Sequence, residues 1–194
     1  MKVERVEVKR CFVASEKGKE KLRGKTGVAF QMALAEIEKE VESMSEPELN
    51  TMISPDWPPR LKKYNELTWY FEQCSIDDIG VWYGSGGLPP EWCTGSIRET
   101  VECILKHPQE IAHLYRRTNE YNKRAVKSLP AILEVVDIIL SSQLLAPIVV
   151  PGGTWRFTPP CRQMKGDIDD GCMRAIAFAI KGYEKFNAYI GKMS

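Results

Sequence analysis

The chain has 194 residues, 43% hydrophobic and 27% charged, with a formal net charge of +1. That balance excludes a largely disordered chain and supplies no general electrostatic pull toward nucleic acid. The longest apolar stretch, Ala131–Leu140, is interrupted by Glu134 and Asp137 and falls short of a membrane span; the charged start MKVERVEVKR excludes a signal peptide, so a cytoplasmic protein with no membrane contact is expected.

Charge is unevenly placed. Residues 121–194 hold 10 lysines and arginines against 6 acidic residues, leaving 17 against 20 in residues 1–120, so the later part is the better anion binder. A local basic patch keeps nucleic acid open as a partner. The six cysteines Cys11, Cys74, Cys93, Cys103, Cys161 and Cys172 contain no C-x-x-C pair, which argues against a zinc knuckle, a ribbon or a thioredoxin-like motif. Cys103, His107 and His113 are read as packing or surface positions, and no metal site is expected from protein ligands alone.

Taken in chain order, Val3–Ala14 alternates in its first half and predicts a strand. Gly18–Thr26 looks like a P-loop but has five residues between its first glycine and Gly24-Lys25-Thr26 where four are needed; it reads as a charged, solvated loop. Phe30–Met44 has strong helix formers at helical spacing and stops before Pro47. Asp56–Pro59 and Gly84–Trp92 are Gly/Pro-rich loops. Trp57, Trp69, Trp82 and Trp92 either anchor a partner, whether base or protein, or fill the core of a helical layer. Helices are predicted over Ser96–Leu105 and Gln109–Arg124, the second with a basic face of Arg116, Arg117, Lys123 and Arg124. Leu129–Ile139 is an amphipathic helix; Leu144–Val150 is a short buried strand; Thr154–Thr158 and Lys185–Ile190 are two further strands.

Ile168–Gly182 carries the chemistry. Asp169 and Asp170 end a polar turn, Gly171 permits tight backbone geometry, and Ala175–Ile180 continues as an apolar helix whose first turn falls near Gly171–Arg174. Unpaired N–H groups at such a terminus attract anions, and Arg174 adds a cation with bidentate reach, so phosphate is the natural ligand. The same residues also read structurally, with Asp169 or Asp170 capping the helix and Arg174 paired with a nearby carboxylate. Cys172, a thiol at a helix N-terminus beside a guanidinium, is a candidate nucleophile, with space-filling as the other reading.

Helix, strand, strand, turn, helix, strand is the order of the last third, with Pro147-Ile148-Val149-Val150 leading into it and Gly171-Cys172-Met173-Arg174 opening its last helix. In these elements the chain resembles the ParB/sulfiredoxin-like superfamily. The resemblance implies an α+β fold: a small mixed sheet with helices in residues 121–194, a first strand drawn from residues 1–14, and residues 15–120 as a mainly helical extension or insertion with Trp-rich loops. It also implies that backbone around Gly171, Cys172 and Met173, with Arg174, meets nucleotide phosphates. Branches of the superfamily differ in activity: partition proteins bind CTP and DNA, free serine kinases use ADP, and sulfiredoxins use ATP and a catalytic cysteine. Many members show Asp-Gly-His-His-Arg, and this chain has neither histidine; the sulfiredoxin pattern Gly-Cys-His-Arg matches at three of four positions. Partition proteins continue into a helix-turn-helix, which is not expected after the closing strand here.

The function expected is nucleotide binding by a phosphotransferase or ATP-hydrolysing enzyme, with ATP or another nucleotide and Mg²⁺ as cofactors. Arg162 would assist Arg174, and Asp167, Asp169 or Asp170 would place Mg²⁺ or act as base, unless they serve as cap and turn residues. The alternatives are a nucleic-acid-binding accessory protein without catalysis and a structural protein with a protein partner.

Overall fold

Trp69, Ile148, Val150 and Tyr189 point to one face of a sheet and Cys74, Val149, Ile168, Phe186 and Ala188 to the other, and every one of them is buried. A sheet with two apolar faces requires a helical layer on each side. A computed structural model describes residues 1–53, 58–116, 125–155 and 160–193 and has this arrangement, an α+β fold. Its six strands are β1 (Lys2–Val3), β2 (Thr68–Ser75), β3 (Ile79–Gly80), β4 (Ile148–Pro151), β5 (Gly166–Asp170) and β6 (Lys185–Lys192). They lie in the order β1-β2-β6-β4-β5-β3. The sheet is mixed: β4 runs parallel to β6 and β3 parallel to β5, while the other neighbours are antiparallel.

Helices α1 (Arg5–Lys21), α2 (Gly27–Glu42), α3 (Glu46–Ile53) and α4 (Pro58–Glu66) build the layer that meets Trp69, Val150 and Tyr189. The opposite layer is α5 (Ile97–Lys106), α6 (Pro108–Arg116), α7 (Ala125–Glu134), α8 (Val136–Ser141) and α9 (Cys172–Ile180). Helix α9 has six consecutive buried residues, Met173–Phe178, so it is enclosed all round. Burial of Phe178 alone contributes about 1.5–3 kcal/mol.

Several expectations need correction. Residues 1–14 do not form a core strand. Only Lys2–Val3 pairs, at the sheet edge, and α1 begins at Arg5, because Val8, Cys11, Phe12 and Ser15 recur at helical spacing and place one face in the core. The long strand beside β6 is instead β2, from within residues 15–120, which also supply β3, so that segment is not only helical. The Gly18–Thr26 segment is the last turn of α1 followed by a bend at Leu22–Gly24, with no P-loop geometry. The expected strand over Leu144–Val150 starts later, after a 3₁₀ turn at Gln143–Leu145. Thr154 and Trp155 lie in a turn after β4, and the rest of the Thr154–Thr158 strand falls outside the described residues. The helices over Phe30–Met44 and Ser96–Leu105 and the strand over Lys185–Ile190 are present, with ends shifted by a few residues. For the helix over Gln109–Arg124, α6 covers the part up to Arg116, and residues 117–124 are outside the described set.

Candidate functional site at the start of helix α9

The Asp169-Asp170 pair is not a turn. Gly166–Asp170 is an inner strand, β5, hydrogen-bonded to β4 on one side and β3 on the other. Aspartate is a poor strand former, and tertiary partners override that preference here by giving each carboxylate a hydrogen bond. Asp167 accepts a hydrogen bond from the Trp155 backbone N–H at 2.9 Å. Asp169 accepts from Arg60 Nε at 2.9 and 3.0 Å and from the Tyr64 hydroxyl. Asp170 accepts from Arg174 Nη2 at 2.7 Å.

Gly171 then turns the chain from β5 into α9. Its φ of 87° lies in the left-handed region, and a Cβ there would stand 3.0 Å from Pro147 Cα and 2.7 Å from Arg174 Nη2, so glycine is required on two counts. The N-cap residue, Gly171, has no side chain with which to cap α9. Gly171 and Cys172 are half-buried at the rim, whereas the Met173 side chain is buried in the core, leaving only its backbone for a ligand.

Arg174 folds back over Gly171. Its residue exposure is 9%; Nη1 donates to Ser15 Oγ of α1 at 2.9 Å and Nη2 to Asp170. Its Nε is buried and has no hydrogen-bond partner among the described residues. Of the two readings open from the sequence, the carboxylate-paired Arg174 is the resting geometry. Burial pushes the Asp170 carboxyl up, but the Arg174 guanidinium, the Ser15 hydroxyl and Lys19 outweigh it and hold the group below its ordinary value. At Asp169 the balance reverses: burial dominates and raises the carboxyl despite Arg60 and Tyr64. Arg60 itself lies over the Phe12 ring, 4.7 Å from its centroid, which ties α4, α1 and β5 together.

Not every expected site residue gathers here. Arg162 donates to Glu99 at 2.8 Å and its backbone N–H to Thr94 O, beside the start of β5, while Gly171 follows its end; five residues of strand separate the two, roughly 15 Å. It cannot assist Arg174, because α5 and the loop before β5 fix it at the far end of the strand. Asp169 is enclosed between Arg60 and Tyr64, so a role as base or Mg²⁺ ligand would require that cluster to open. Among the described residues no group of three or more His, Cys, Asp or Glu is placed to hold a metal ion. His107 stacks on Trp92 with its Nδ1 2.9 Å from Cys103 O, a packing arrangement. Trp69 is a core residue whose Nε1 donates to Tyr64 O, and Trp57 lies outside the described residues, as do Arg117, Lys123 and Arg124.

Ser15, bonded to Arg174, and Arg60 and Tyr64, bonded to Asp169, were not singled out in the sequence. They come from α1 and α4, more than a hundred residues from their partners, with no local motif. Comparison with protein-family models, with curated proteins and with solved structures gave no match. Of the described residues, no helix is long and apolar enough to cross a membrane.

Proposed function

We propose that this chain binds a phosphate-bearing small molecule of the nucleotide class at the start of α9, through the backbone N–H groups of Cys172 and Met173 and the guanidinium of Arg174. The observation that carries the reading is a buried Arg174 Nε without a partner among the described residues, packed on a left-handed Gly171 at the start of a helix. A phosphate arriving there would exchange with the Asp170 carboxylate for Arg174 and gain the first-turn donors. Its own charge then replaces the one Asp170 supplies.

Phosphoryl transfer or ATP hydrolysis with Mg²⁺ is the reaction class to examine first, as the resemblance of Gly171–Arg174 implies. In that chemistry Arg174 would stabilise charge on the transferred group, and the half-buried Cys172 would be the candidate nucleophile. Asp170, freed from Arg174 by ligand, is the carboxylate nearest to hand; Asp169 stays with Arg60 as a positioning group.

A thermal-shift series against ATP, ADP, CTP and GTP with Mg²⁺ tests the reading. One nucleotide at a hundredfold excess over its dissociation constant should stabilise the native state by about 2.7 kcal/mol. Arg174→Lys, which keeps the charge but loses the fork, should weaken that effect at least tenfold in affinity. No stabilisation by any of the four would overturn it.

A further inference from the structure

We propose that the ligand of the α9 site carries a second phosphate and that Lys19 of α1 receives it; the inference rests on the phosphate site at Gly171–Arg174 and narrows its ligand to a diphosphate or a longer phosphate chain. Arg174 Nη1 donates to Ser15 Oγ at 2.9 Å, so α1 lines the site at Ser15. Lys19 follows one helical turn later, about 6 Å along the axis and about 40° round it. Side chains of a helix lean toward its N-terminus, which lays the Lys19 stem back over the turn that holds Ser15.

The last turns of α1 carry Lys17, Lys19 and Lys21, and these divide between two sides of the helix. Lys17 and Lys21, four residues apart, both bind Glu40 of α2, at 2.6 and 2.5 Å. Lys19 stands two residues from each, about 200° round the axis, and so turns away from α2. On that side its charge joins the Arg174 guanidinium and the Ser15 hydroxyl in holding the Asp170 carboxyl low against burial. Lys19 Nζ is bonded to Glu16 in an exposed pair within one helix, an arrangement that solvent screens and that holds its cation weakly. Arg60 acts on Asp170 less strongly than Lys19 does, and two hydrogen bonds commit it to Asp169. When a first phosphate takes Arg174 from Asp170, Lys19 is the cation left to meet a second, and exchanging Glu16 for phosphate gives it a more highly charged partner.

The test titrates the full chain with inorganic phosphate and with pyrophosphate by calorimetry, without Mg²⁺ and at one ionic strength. Pyrophosphate should bind at least about tenfold more tightly than phosphate. Lys19→Gln should remove that advantage and leave phosphate affinity unchanged, and Lys19→Arg should keep most of it. Lys21→Gln deletes the same charge from the α2 side and should leave the advantage intact. Glu16→Gln, which frees Lys19, should tighten pyrophosphate several-fold in the wild-type background and not in Lys19→Gln. Equal wild-type affinity for the two anions, or an advantage that survives Lys19→Gln or falls equally in Lys21→Gln, overturns the role of Lys19 and leaves the phosphate site standing. Binding of neither anion removes the phosphate site, and the second-phosphate contact with it.

Discussion

Asp169 and Asp170 are adjacent in β5, yet the layers they meet treat a carboxylate differently. On the α4 side, Asp169 is sealed: its side chain has no exposure, Arg60 and Tyr64 satisfy it, and burial raises its carboxyl. On the α9 side, Asp170 sits at the rim beside a left-handed glycine, with its carboxyl held low by Arg174. The first cluster fastens two layers together. The second pairs its carboxylate with a cation whose Nε has no hydrogen-bond partner among the described residues, which under the proposed function is what a binding site needs and a fastening does not.

The contrast breaks hardest at Arg60. Arg60→Ala leaves Asp169 buried without its cation and removes the contact over Phe12, so unfolding by urea should show a loss of about 3–5 kcal/mol. Phosphate affinity of the remaining folded protein should be unchanged, since Arg60 Nε is bonded to Asp169 and not to the Arg174 partner Asp170; a parallel loss of affinity would merge the two clusters into one. Gly171→Ala strikes the other cluster. A Cβ at φ 87° costs about 1–3 kcal/mol and pushes on Arg174 Nη2 and Pro147, so both the denaturation midpoint and nucleotide binding should fall. Tyr64→Phe removes one donor to Asp169 and should cost about 1–3 kcal/mol, again with binding intact.

The two clusters also differ in how much of them could be read in advance. Gly171 and Arg174 lie three residues apart, and the apolar run after them fixes the helix, so the local sequence contains the start of α9, its glycine and its cation. Even the pairing of Arg174 with a carboxylate is visible as one of two readings, because Asp170 is a helical turn away. Asp169 gives no such sign. Its partners come from α4, through a Pro58-Pro59-Arg60 segment with nothing to single it out, and its place in an inner strand is hidden by aspartates that rarely occupy one. The same cause explains α1: the alternation of Val6 and Val8 imitates a strand, and only the later spacing of Cys11, Phe12 and Ser15, packed against elements far along the chain, decides for helix. Long-range pairing overrides local preference in both cases.

The smallest effect separates the two carboxylates by pH. A buried carboxyl raised in the folded state binds its proton there first, so as pH falls through the folded value of Asp169, above the unfolded value of about 3.9, its cost diminishes and stability rises. Asp170 has the opposite sign: its folded value is lowered, so it contributes stability that is fully present above about pH 3.9 and is lost as pH falls through the folded value. Thermal melts across pH 2–6 should therefore show the Asp170 limb as a decline on the acid side, partly masked by Asp169. In Asp170→Asn that limb disappears and only the Asp169 rise remains. The same substitution leaves the Arg174 charge uncompensated at neutral pH, so tripolyphosphate should bind several-fold more tightly than to the wild type. An unchanged or lower affinity would mean that the Asp170–Arg174 pair is a fastening like Asp169–Arg60, and that the two sides of β5 do the same work.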